Sequence, residues 1–120
     1  MKRDWELVRQ ILLQLEALGD TRSILRHDGI TGYDADNVGY HMRLLKEAGL
    51  IEAECITGLG GRSACMASGL TWHGHELLDH MREQGMWNNV RRVIREKGLE
   101  VSIEAIKLAG HLVVQRLFQA

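Results

Sequence analysis

Proline is missing from the sequence, and no Ser-rich or Gly-rich linker divides it, so every break between elements falls to glycine, helix caps and short turns. Cysteine is scarce. Cys55 and Cys65 are too few for a secreted disulfide framework and have no close cysteine neighbour to suggest a zinc knuckle, so reduced thiols are expected, small apolar strand residues even where a hairpin sets the two face to face. No stretch approaches the roughly 20 apolar residues of a membrane helix. The opening Met1-Lys2-Arg3-Asp4-Trp5-Glu6 also lacks the apolar core of a secretory signal, so the expectation is a cytoplasmic protein with no membrane partner. Neither sign of charge is in excess: 15 Lys and Arg stand against 16 Asp and Glu, a formal net charge of −1. The molecule as a whole therefore has no electrostatic signature of a nucleic-acid binder, and any DNA affinity must come from a local patch. Internal repeats are absent. Ser-His-Asp patterns and paired-carboxylate motifs are also lacking, and Gly58-Leu59-Gly60-Gly61 has neither the strand-to-helix context nor the Lys of a nucleotide loop. We expect no enzyme and no cofactor.

What remains is the balance of an ordinary globular chain, with 45% apolar and 26% charged residues in a length of 120 that suits one core. From Arg3 to Leu18 the positions Trp5, Val8, Ile11, Leu12 and Leu15 recur at helical spacing, with Gly19 as a stop. Thr21 to His27, carrying Ile24 and Leu25, reads as a short second helix closed at Asp28-Gly29. Asp34 caps a third, in which Val38, Met42 and Leu45 share a face and Gly49 ends the run. Leu50 to Ile56 and Ala64 to Ala67 form a β-hairpin around a glycine-rich loop. Thr71 caps a helix through Leu77, Leu78 and Met81, with Gly74 permitting close packing. Trp87, Val90 and Ile94 mark the next helix, which stops at Lys97-Gly98. Ser102 caps the last, with Ile103, Ile106, Gly110, Val113 and Leu117 in a stripe.

The order of three helices, a strand pair and a glycine-rich tip is that of a winged helix-turn-helix, whose third helix usually enters the DNA major groove. The expected fold is mainly α with a small β-hairpin: a winged-helix domain over residues 1–84, then a C-terminal helical extension, 85–120, packed on it or on a second subunit. Val38-Gly39-Tyr40-His41-Met42-Arg43-Leu44-Leu45-Lys46-Glu47-Ala48-Gly49-Leu50-Ile51 closely resembles the recognition helix and following strand of winged-helix bacterial regulators of the arsenic-repressor family. Leu70-Thr71, with Gly74 three residues on, strengthens the likeness. That resemblance implies a DNA-facing side made of Asn37, Tyr40, Arg43 and Lys46. A resemblance covering nearly the whole chain rests on Met1-Lys2-Arg3-Asp4-Trp5-Glu6-Leu7-Val8-Arg9, on Leu70 to Asp79 and on Trp87-Asn88. On these the chain looks like a bacterial and prophage family, domain of unknown function 2513. It implies a regulatory or host-interaction role. Members commonly carry an acidic residue where this chain has His73, which argues against that histidine as a shared ligand.

Each candidate has an ordinary reading beside it. Asn37 can pair with adenine and Arg43 with guanine or phosphate, but the same residues also make a solvated helix face, and Asp34, Asp36 and Glu47 bring repulsive charge. Arg62 at the hairpin tip can touch the minor groove or phosphate, or simply keep a flexible loop soluble. Arg91, Arg92 and Arg95 are either a second phosphate surface or a wet face. His73, His75, Glu76 and His80 lack the fixed spacing of a metal site, so no metal is expected. Trp5, Trp72 and Trp87 read as packing anchors. The expected function is a small DNA-binding regulator acting on double-stranded DNA. The alternative is an adaptor or phage inhibitor that binds a host protein and uses the winged helix as scaffold. Ile106, Val113, Leu117 and Phe118 call for cover, from a homodimer partner or from the chain's own domain.

Overall fold

The computed structural model describes residues 1–119. Helices and a small antiparallel sheet alternate along the chain, which divides into two compact units: Met1–His75, and the remainder from Glu76. In the first unit, helix α1 covers Trp5–Glu16 because Asp4 takes the orphan N–H groups of Glu6 and Leu7 on its carboxylate, at 3.0 and 3.2 Å. Its apolar positions Leu7, Val8, Ile11, Leu12 and Leu15 are all buried. Arg9 is buried beside them, with its guanidinium 3.2 Å from Glu6.

The short second helix expected over Thr21–His27 does not form. Asp20 instead accepts from the N–H groups of Arg22 and Ser23, at 2.8 and 2.6 Å, and closes a side-chain turn that competes with helix initiation. Those hydrogen bonds also hold its carboxyl below the usual carboxylate range. Leu25–Arg26 then becomes strand β1. The alternation of exposed Ile24, buried Leu25 and exposed Arg26 is a strand period that two adjacent apolar residues cannot distinguish from a helix in the sequence.

Helix α2 spans Ala35–Glu47, capped by Asp34 through the Asn37 N–H. It ends where Gly49 takes a φ of +76°, the left-handed conformation that glycine adopts without strain. Strands β2, Ile51–Thr57, and β3, Ser63–Leu70, form the hairpin, and β1 adds on the other side of β3, giving the order β1-β3-β2. The tip is a single 3-10 turn over Leu59–Gly61. The core of this unit lies between α1, α2 and the inner face of the sheet, where Leu7, Ile11, Leu12, Val38, Met42, Leu45, Ile51 and Ala67 are buried.

The hairpin register sets Cys55 opposite Cys65, with Cα atoms 4.2 Å apart, and the two are joined as a disulfide. The expectation of reduced thiols is corrected here. Sequence composition spoke to compartment, whereas register decides which side chains meet, and directly opposed residues in an antiparallel pair come within bonding reach. Closing so short a loop should contribute about 2–3 kcal/mol. Reduction with a dithiol should therefore lower the urea midpoint of the protein by a corresponding amount. An unchanged midpoint together with quantitative labelling of both thiols before reduction would contradict the bond.

Helix α3, Trp72–Asp79, starts at Thr71, whose hydroxyl accepts from the Gly74 N–H at 3.1 Å and donates to the Gly49 carbonyl at 2.6 Å. Gly74 lies against the Leu50 carbonyl so closely that any side chain there would collide with backbone. In the second unit, α4 covers Gln84–Glu96, capped by the Glu83 carboxylate on Gly85 and Met86. Helix α5 covers Ile103–Gln119, and the Ser102 hydroxyl accepts from Ala105. The two helices pack together, burying Trp87, Val90, Val93 and Ile94 on one side and Ala105, Ile106, Ala109 and Val113 on the other.

His80, in the turn after α3, packs edge-on against His111 of α5, with ring centroids 5.2 Å apart. Partial burial and then the neighbouring His111 push the His80 pKa below the ordinary imidazole value. The unfolded chain thus takes up the proton before the folded one. His80 contributes stability that is present above the ordinary value near 6.5 and lost as pH falls through the lower folded value. Urea midpoints should drop between pH about 7.5 and about 5.5, on either side of that value. His80→Asn should flatten the drop, and an equally steep drop in the variant would assign it elsewhere.

Candidate nucleic-acid interface

Helix α2 is seated by Val38, His41, Met42 and Leu45, all buried, so its opposite face lies outside the core, half-buried at Asp36, Tyr40 and Arg43 and exposed at Glu47. At 3.6 residues per turn, Asp36, Tyr40, Arg43 and Glu47 follow one another along a single outer stripe. Asn37 and Lys46, nine positions apart, fall on opposite flanks of that stripe. Of the side chains expected to face DNA from α2, only Tyr40 and Arg43 are brought together: the guanidinium carbon of Arg43 lies 5.4 Å from the Tyr40 ring centroid, a cation–π contact. Arg43 is half-buried, and its Nε is shielded from solvent with no hydrogen-bond partner among the described residues. Lys46 is exposed. Asn37 is half-buried, and its backbone carbonyl is taken by the His41 ring at 2.9 Å.

Arg62 is exposed just beyond the hairpin tip. With His27, Asp34, Asp36 and Ser63 it lines an open cleft of about 380 Å³ between the first turn of α2 and the start of β3. This arrangement depends on Gly39, where a side chain would strike the Ser63 carbonyl, so α2 and β3 approach at backbone distance. The same crossing puts the sulfur of Cys65 3.4 Å from the Gly39 carbonyl.

His41 is a feature that sequence reasoning missed. Its ring accepts the Asp4 N–H on Nε2 at 2.8 Å, which requires a lone pair there, so Nδ1 carries the proton and donates to the Asn37 carbonyl. The neutral imidazole thereby pins the segment ahead of α1 to α2. A usable signal existed: His41 falls between Val38 and Leu45 at the spacing of the buried face. The Tyr40 hydroxyl makes a second link, donating to the Met1 carbonyl at 3.4 Å. Arg3 lies over Trp5, its guanidinium carbon 5.3 Å from the ring centroid.

Elsewhere, Arg91 covers the buried Trp87 ring at 5.3 Å and bonds Asn88, while Arg92 bonds Asn89 at 3.1 Å. Arg95 is exposed. His75 meets Glu16 at 3.9 Å, and among the described residues no three His, Cys, Asp or Glu side chains gather as a metal site. Trp72 is not a packing anchor: it is 78% exposed, because Leu77 and Leu78 occupy the inward positions of α3, while Trp87 is fully buried and Trp5 half-buried. Ile106 and Val113 are covered within the second unit, whereas Leu117 and Phe118 stand open at the end of α5. No helix among the described residues is long and apolar enough to cross a membrane.

Among the described residues the fold is thus α-rich, with five helices and a three-stranded antiparallel sheet. Residues 2–100 match the family model described as "Hypothetical protein (DUF2513)", and the chain belongs to that family. It is 44% identical over 117 residues to an "Uncharacterized protein" of Haemophilus influenzae, the match covering 98% of each. No solved structure matches.

Proposed function

We propose that this protein is a small cytoplasmic DNA-binding regulator of winged-helix type, with α2 in the major groove and the hairpin tip against the backbone. The observation that carries the reading is the pairing of an α2 seated by its apolar face with a hairpin whose Arg62 lines a cleft at the first turn of that helix. The order α1, β1, α2, β2, β3 supports it, although the segment between α1 and α2 is a turn and strand where that plan has a helix. Within this reading Arg43 and Arg62 meet phosphate or guanine, Tyr40 and Asn37 approach base edges, and Lys46 contacts phosphate.

A protein-binding role is the second reading. It is favoured by the carboxylates of Asp36 and Glu47 on the outer stripe of α2 and by Trp72, Leu117 and Phe118, which are 78%, 71% and 87% exposed. Fluorescence anisotropy with pooled genomic duplexes at low and near-physiological salt separates the two. A DNA binder should lose about 0.9 in log affinity per log unit of salt for each phosphate contacted. Arg43→Ala should remove about one such unit, or about 1–3 kcal/mol of sequence discrimination. Absence of duplex binding by folded protein at low salt, with a defined protein co-purifying, selects the second reading.

A further inference from the structure

The exposed side of α2 carries no net positive charge, since Arg43 on the outer stripe and Lys46 on its flank are offset by Asp36 and Glu47 on the stripe. A duplex backbone gains little from such a face. The segment Met1–Asp4 changes that balance. It is held at both ends on adjacent residues of α2, through the Met1 carbonyl on Tyr40 and the Asp4 N–H on His41. Lys2 and Arg3 lie between these anchors and are exposed. The carboxylate of Asp4 is committed to the α1 N-terminus, where helix N–H groups and the dipole offset its charge. The segment therefore brings two cationic residues beside the Tyr40–His41 flank of α2 without adding an equal uncompensated negative charge.

We propose that Lys2 and Arg3 form a basic arm that completes the duplex-binding face of α2 by contacting DNA phosphates. The inference rests on the DNA-binding reading and deepens it. Being strung between two anchors, the arm loses less conformational freedom on binding than a free tail would, so its contacts are preorganised. The Tyr40 hydroxyl and the His41 ring act as positioning groups. Arg3 leaves its place over Trp5 at small cost, since a cation–π contact of an exposed guanidinium is weak.

The test compares three full-length proteins on one duplex pool: wild type, Lys2→Gln/Arg3→Gln, and Lys97→Gln/Lys107→Gln, which removes the same charge from the second unit. Salt titrations should show a slope shallower by about 1–2 units for the arm variant, at roughly 0.9 for each phosphate the arm no longer neutralises, and no change for the control. Circular dichroism should find the arm variant as well folded as wild type, because Lys2 and Arg3 are exposed, and the same measurement checks the control. A wild-type slope in the arm variant, with Arg43→Ala still lowering it, overturns the arm and leaves the α2 reading intact. Equal losses in both double variants also overturn it, by reducing the effect to net charge. A folded wild type with no duplex binding at low salt overturns both readings together.

Discussion

Replacing Trp87 with alanine is expected to cost about 3–5 kcal/mol, among the larger losses a single core truncation can cause. The indole is fully buried, with Arg91 lying over the ring, so its removal empties a large volume of core. Domains of this size have only about 5–15 kcal/mol of stability in total, so the variant should melt at a much lower temperature or fail to accumulate. Thermal and urea unfolding followed by circular dichroism provide the measurement. Trp72→Ala is the matched control: that ring is 78% exposed and should leave the midpoint nearly unmoved. Similar losses in the two variants would mean that α4 does not seat its tryptophan as described.

Gly39→Ala should also be strongly damaging, at about 3 kcal/mol or more, although it adds one methyl group. The obstacle is the Ser63 carbonyl on β3, which is backbone and cannot swing aside as a side chain would. Helix α2 and the hairpin would have to separate, opening the cleft that Arg62 lines with the first turn of α2. If the DNA reading holds, binding should weaken beyond what the loss of stability explains. Gly19→Ala is the contrasting case, since an added Cβ there meets nothing within 4 Å and φ is not positive. Its midpoint should stay within a few tenths of a kcal/mol of wild type, as expected of surface changes. Equal tolerance of alanine at both glycines would refute the close crossing of α2 and β3.

The part of the fold legible in the sequence is the part set by local signals. Asp34, Thr71 and Ser102 cap the helices assigned to them, Gly49 and Gly98 end helices at positive φ, and most apolar positions at three- and four-residue spacing are buried, Leu117 being the exposed exception and Trp5 and Ile103 half-buried. Each of these depends on residues within a turn or two of one another. The hairpin was legible for the same reason, its glycines standing between two short apolar runs. The candidate site was legible only in outline. Helical spacing identified an outer face of α2, but Asn37, Tyr40, Arg43 and Lys46 span half its circumference, and only Tyr40 and Arg43 touch.

What the sequence by itself determined, then, was where most helices start and stop and which of their faces are apolar, because capping chemistry and side-chain period act over a few residues. Tertiary structure decided the rest. Residues 25–26 became a strand because β3 offered an unpaired edge, and Cys55 met Cys65 because the register placed them opposite. Trp72 faced outward because its helix had other inward positions to fill, and His41 joined the segment ahead of α1 to α2 across 37 residues of chain. Such pairings depend on which elements are brought together in space, a long-range property that no window of neighbouring residues contains.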